Sequence, residues 1–248
     1  MCYHPFISFD TVFAEAKSKI EELSDKKQRE LKEALNHGEN DKFSDELLDM
    51  YLYCYGEIHR NKLIKAFDKL PRKLFHEDAI SIIDYACGQG LAELIFADYL
   101  VSHRIERSYV KDVTLIEKSK MSLDRAEQVV NRSLSPVLVD AINSKLEDVP
   151  YLDLMPQTNT VVHMFSNVID LPEVNFENVI NFINNDSEHN NIIVCVSPYY
   201  QEQSRGNRIP EFGKSLSRYS LVYKLEKHIE DWSEDYSCQI FIFKSMYY

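Results

Sequence analysis

The chain has 248 residues, of which 44% are hydrophobic and 27% charged, a balance that suits one large globular domain or one domain with an appendage. No stretch approaches the roughly 18 uninterrupted apolar residues of a membrane span, and the N-terminus lacks a basic region followed by an apolar core, so the default expectation is cytoplasmic residence with no membrane partner. The formal net charge of −12, from 40 acidic and 28 basic residues, repels phosphate backbones and disfavours nucleic acid as a partner, although it leaves room for a local basic groove.

The five cysteines (Cys2, Cys54, Cys87, Cys195 and Cys238) are scattered and include no C-x-x-C pair. This argues against a disulfide framework and against a zinc or other metal site. Cys87 and Cys195 fall in or beside apolar runs, where a free cysteine serves as a small buried hydrophobe.

In chain order, Thr11 to about Asn36 is rich in Ala, Glu, Lys and Leu, and Val12, Phe13, Ala16, Ile20 and Leu23 recur at helical spacing. One or two amphipathic helices are expected, with the charge-dense segment as a solvated face or, as the second reading, a surface for a protein partner. Gly38, Asn40 and Asp41 read as a stop and turn. Ser44 is a candidate cap for a helix carrying Leu47, Leu48, Tyr51, Leu52, Tyr55 and Ile58, which continues or restarts through Leu70 before Pro71. Residues 1–75 are therefore read as a helical N-terminal extension, leaving 76–248 as the ligand-binding domain.

From Ala79 the pattern changes to apolar runs alternating with helical segments, the mark of βαβ units and a parallel sheet. Strands are expected at 80–85, 113–117, 137–142, 160–165, 192–196, 220–224 and 239–244, with helices at 91–101, 122–131 and 171–183 and a short piece near 145–153. The last two strands leave no room for a long helix between them, which suggests an antiparallel final strand. The segment 197–217 reads as a polar loop with Gly206 and Gly213. Arg205, Arg208, Lys214 and Arg218 are then either solvated or part of a mobile cover that grips a carboxylate or phosphate.

The chemistry gathers at the carboxyl ends of successive strands, where a doubly wound sheet binds its ligand. The first strand stops at Asp84 and turns through Ala86-Cys87-Gly88-Gln89-Gly90, which uses two of only six glycines in the chain. The second ends at Glu117, an acid able to accept both hydroxyls of a ribose. The third is followed by the polar segment Asn143–Asp148. Glu93 stands where a dinucleotide fingerprint has its third glycine, and no Gly-Lys-Ser/Thr follows a glycine-rich loop. Asp84 so close to the turn suits a ligand with a positive amino group better than a pyrophosphate.

The stretch IIDYACGQG resembles the first motif of class I S-adenosylmethionine-dependent methyltransferases, and Glu117 resembles the acid at the end of their second strand. The resemblance implies a Rossmann-like α/β fold with a seven-stranded, mostly parallel sheet and an antiparallel last strand, with helices on both faces. It further implies S-adenosyl-L-methionine as cofactor, with Asp84, Ala86, Cys87, Gly88 and Gly90 around its methionine part and Glu117 on its ribose. Ser144 and Phe165 complete that set, at the ends of the third and fourth strands. The family's acid near the adenine is missing at Ser144-Lys145, for which Asp148 is a weak substitute. Phe165-Ser166-Asn167-Val168 does not match the D/N-P-P-Y/F motif of amino-group methyltransferases. Asn167 and Tyr199 are acceptor-side candidates by position alone. His163 reads as a buried strand histidine, with a catalytic base as the second reading. The expected function is methyl transfer to a small molecule or protein, with structured RNA left open. The alternatives are an inactive binding protein and another enzyme using the same cofactor on the same fold.

Overall fold

Seven strands form one sheet in the order β3-β2-β1-β4-β5-β7-β6. The computed structural model describes residues 6–35, 44–76, 79–151, 154–200, 203–227 and 237–246; Cys2 and the expected turn at Gly38–Asp41 lie outside them. The strands are β1 (Ile80–Tyr85), β2 (Val110–Ile116), β3 (Leu138–Ile142), β4 (Thr160–Ser166), β5 (Asn190–Pro198), β6 (Tyr219–Lys227) and β7 (Cys238–Ser245). β1 to β5 pair in parallel, and β7 inserts antiparallel between β5 and β6. The order reverses between β1 and β4, so the crevice of a doubly wound sheet opens at the carboxyl ends of those two strands.

The helices are α1 (Phe9–Glu21), α2 (Asp25–Ala34), α3 (Asp45–Phe67), α4 (Leu91–Ser102), α5 (Lys120–Ser133), α6 (Glu177–Asn185), α7 (Gln203–Gly206) and α8 (Arg208–Ser215). Strand alternation splits the core between the two faces of the sheet. Ile82, Val113, Leu115, Val162 and Val194 join the core under α4 and α5, and Ile83, Ile116, Phe165, Ile193 and Phe241 join the core with α6 and α8. β1 is buried at all six positions, as its run of isoleucines requires in a central parallel strand.

The N-terminal helices share the first of these cores. Phe9, Ala16, Leu52, Leu63, Ala66 and Phe67 are buried with the sheet residues, and the Phe67 ring meets Phe96 of α4 edge-on at 5.0 Å. Ser8, Ser24 and Ser44 cap the three helices by accepting from backbone N–H groups three residues on. The 23 residues of α3 make a rod roughly 34 Å long. It lies against α1, α2 and α4 and reaches β5 and β7.

Two local expectations change. Residues 171–176 are not helical; Pro172 lacks a donor, and Asn175 Oδ1 accepts from Glu177 N–H at 2.9 Å, so α6 starts at Glu177. The polar segment after β5 contains α7 and α8, the latter fixed by the burial of Ile209 and Phe212. Gly213 reflects close packing there, because a Cβ would stand 2.5 Å from the Phe243 ring. Arg208 donates to the Ile169 and Val174 carbonyls, and Arg205 meets the Asp170 carboxylate at 3.5 Å. These two arginines hold the chain after β4, and the reading of a mobile cover is withdrawn.

Candidate functional site

The turn after β1 takes its shape from three left-handed residues, Ala86 (φ 60°), Gly88 (φ 56°) and Gly90 (φ 77°). The two glycines serve different ends. A Cβ on Gly88 would meet nothing within 4 Å, so bare backbone faces open space. A Cβ on Gly90 would lie 2.9 Å from the Ala126 Cα, so this glycine lets the start of α4 press against α5. Cys87 N–H donates to the Ile116 carbonyl at 3.0 Å, binding the turn to the end of β2.

Glu117 joins the two strand ends. Its Oε2 accepts from Gly88 N–H at 3.1 Å and its Oε1 from Ser119 N–H at 2.8 Å. Burial pushes its pKa up against these two bonds. The carboxylate keeps lone pairs for further donors, as vicinal hydroxyls require.

Two cavities adjoin at this point. The first, of about 150 Å³, lies between the turn, Glu117, the end of β4 at Ser166–Asn167, and Leu48, Tyr51 and His59 of α3. The second, of about 250 Å³, runs along Ser144–Glu147 and Val168–Val174. Ala86, Glu117, Lys118 and Val168 border both. Helix α3 is tied over the first cavity at both ends. Arg125 of α5 donates to Asp49 at 2.6 Å and Asp45 at 2.8 Å, and Gln89 Nε2 donates to the Leu48 carbonyl at 3.1 Å. Further along, Lys62 Nζ donates to Asn167 Oδ1 at 2.6 Å.

Of the residues singled out in the sequence, Ala86, Cys87, Gly88, Glu117 and Asn167 line the first cavity and Ser144 the second. Gly90 faces α5 instead. Phe165 belongs to the core below, stacked on Tyr85 at 4.4 Å between ring centres, and lines neither cavity. Strand alternation explains this, because Phe165 points to the face opposite its neighbour Met164 and inward among Phe176 and Phe212. Tyr199 lies past the end of β5, with its N–H on the Ser237 carbonyl, and borders neither cavity. His163 is fully buried, between Tyr85 Oη at 2.9 Å and Asn191 Oδ1 at 2.8 Å, and burial holds its pKa down at about 4. It is a neutral part of the core.

Asp84 sits beneath the turn with its carboxyl against that of Glu93, and both are fully buried with no cation paired to either among the described residues. Burial, and then the charge of Glu93, push the Asp84 pKa well above the usual carboxylate range. A raised native pKa means that unfolding releases the proton, so the pair favours folding at acid pH and loses that contribution as pH rises through the raised value. Asp84→Asn is therefore expected to raise stability by about 2 kcal/mol in mildly alkaline buffer, with a gain that shrinks toward about pH 4. Denaturant unfolding across pH checks this; a gain independent of pH contradicts it.

Sequence reasoning missed His59 and Lys62 of α3, although the aromatic character of Tyr51, Tyr53 and Tyr55 admits, as a second reading beside packing between helices, one of them lining a pocket, as Tyr51 does. Leu48, Tyr51, Tyr55, His59 and Lys62 fall on one helical stripe, and a buried histidine and lysine on such a stripe are the available signal. Sequence reasoning offered Asp148 as a weak substitute for the acid after the third strand, whereas Glu147 lines the second cavity.

The sheet order and the reversed β7 give the Rossmann-like fold of class I S-adenosylmethionine-dependent methyltransferases. Among solved structures, the chain is similar to an S-adenosylmethionine-dependent methyltransferase from Clostridium acetobutylicum, with TM-score 0.50, 9% identity and coverage of 79% of this chain and 97% of that one. It is also similar to the methyltransferase in complex with the Trm112 methyltransferase activator of Haloferax volcanii, with TM-score 0.52, 12% identity and coverage of 82% and 99%. No family model and no curated protein matches the sequence. At these identities the likeness is one of fold.

Proposed function

We propose that this protein is a methyltransferase that binds S-adenosyl-L-methionine in the two adjoining cavities and passes its methyl group to a small molecule. The observation that carries this reading is the bond between Gly88 and Glu117 at the rim of one cavity at the β1/β4 switch point. The residues fit the group. Gly88 offers open space where a Cβ would stand, Glu117 offers a carboxylate to the ribose, and Ser144 and Glu147 border room for the base. The bound cofactor supplies an electrophilic methyl group on a sulfonium, open to direct displacement.

The chain's own part is to position the partners and exclude water. His59 borders the first cavity, but burial and the Lys62 ammonium hold its pKa well below the ordinary value, and both ring nitrogens have partners. It is not a general base. Burial and the nearby Asp84 push the Cys87 thiol up, so it is not a nucleophile. The tied-down α3, which walls the site on one side, supports a small acceptor over a polymer.

Incubation with methyl-labelled cofactor and a metabolite extract, followed by mass spectrometry, tests this. Label in the small-molecule fraction supports the proposal. Label in protein or RNA overturns the acceptor class, and cofactor binding with no transfer overturns the enzyme reading. Among the described residues no helix is long and apolar enough to cross a membrane.

A further inference from the structure

The hydrogen bonds on the wall that α3 and the end of β4 give to the first cavity have only one self-consistent set of directions. Lys62 Nζ has only protons to give, so the group 2.6 Å away on Asn167 is its oxygen, Oδ1. The two Nδ2 hydrogens of Asn167 then go to His59 Nδ1 at 3.0 Å and to Ser166 Oγ at 3.1 Å. His59 Nδ1 therefore carries no proton. The single proton of the neutral ring sits on Nε2, which donates to Tyr51 Oη at 2.9 Å. Tyr51 and Ser166 thus each receive one hydrogen bond and keep their own proton. Both border the first cavity, and among the described residues neither has another hydrogen-bond partner. Behind them stands Lys62, 2% exposed, with a pKa that burial lowers to about 8, so that it is an ammonium at neutral pH. Two hydroxyl protons backed by a buried cation suit an anionic oxygen ligand.

We propose that Tyr51 and Ser166 form a carboxylate-binding subsite, with Lys62, Asn167 and His59 as its positioning residues. This rests on the cofactor reading above and deepens it. The carboxylate has two sources, the amino-acid part of the cofactor and a carboxylate on the acceptor.

The test titrates S-adenosylhomocysteine and 5′-methylthioadenosine, which keeps the nucleoside and thioether but lacks the amino-acid part, into the full chain. Wild type, Tyr51→Phe, Ser166→Ala and Lys62→Met are compared, with thermal melting as the check on folding. With the cofactor's carboxylate in the subsite, each variant loses about tenfold or more in affinity for S-adenosylhomocysteine and stays within about twofold for 5′-methylthioadenosine. With the acceptor's carboxylate there, both nucleosides bind unchanged, and benzoate binding to the S-adenosylhomocysteine-loaded protein is lost in the variants. Tyr51→Phe removes a single oxygen and keeps the test valid should Lys62→Met fail to fold. Folded variants that bind all three probes as the wild type does, or lose both nucleosides equally, overturn the subsite. A wild type that binds neither nucleoside instead overturns the cofactor reading, and the subsite then stands or falls on whether Tyr51→Phe loses benzoate binding to the free chain.

Discussion

Glu117→Gln is expected to weaken binding of S-adenosylhomocysteine by roughly 100-fold, equivalent to about 3 kcal/mol. The carboxylate already accepts from Gly88 and Ser119 N–H groups, and on the proposed reading it accepts the ribose hydroxyls as well. An amide has one oxygen, so one of those N–H groups faces an NH2 and the hydroxyls lose an ionised acceptor. The orphaned N–H also loosens the turn, at a cost to stability of about 1–2 kcal/mol. Calorimetric titration and denaturant unfolding of the same variant separate the two effects. Affinity for S-adenosylhomocysteine equal to that of the wild type would place the ribose elsewhere.

The second large effect falls on the neighbouring turn and splits its two glycines. Gly90→Ala drives a methyl group to 2.9 Å from the backbone of Ala126 while φ is 77°. The left-handed conformation costs a side chain about 1–2 kcal/mol, and the overlap with a helix backbone adds about 1–3 kcal/mol. The expected loss of about 3 kcal/mol lowers the melting temperature of a chain of this size by roughly 6–12 °C. Gly88→Ala carries only the conformational cost, because its methyl group enters open space beside the cavity. It is expected to melt within a few degrees of the wild type yet lose about tenfold or more in ligand affinity. Equal melting of the two variants would contradict the division of labour. The bulkier Gly88→Val would confound the comparison, because a β-branched side chain at φ 56° strains the backbone itself.

The sheet was legible because central parallel strands bury every residue. The run ISIIDY admits few other readings, and β1 spans the expected residues. The turn was legible for a related reason: two glycines placed two residues apart in a glycine-poor chain mark backbone that must turn left-handed or approach another group closely. In the structure Gly88 meets the first need and Gly90 meets both. Glu117 followed from its place at a strand end.

What the chain did not disclose depends on contacts distant in sequence. Lys62 and Asn167 are separated by 105 positions, and nothing local in either stretch announces the pairing. Helical periodicity marks α3 as amphipathic but does not say that its buried stripe borders a cavity at His59 and Tyr51. Phe165 was assigned by its place at the end of the fourth strand, yet a strand sends successive side chains to opposite faces, and past that end Asn167 (φ 58°) turns away to line the cavity. The arginines after β5 looked available for a ligand because their partners, the carbonyls of Ile169 and Val174 and the carboxylate of Asp170, belong to an irregular segment with no sequence signature.

The claim on which everything else rests is that the Gly88–Glu117 cradle holds an adenosyl thioether. Calorimetric titration of the wild-type chain with S-adenosyl-L-methionine and S-adenosylhomocysteine measures it directly. Saturable one-to-one binding of both is expected, weakened in Glu117→Gln and Gly88→Ala. A folded wild-type chain that binds neither would contradict it.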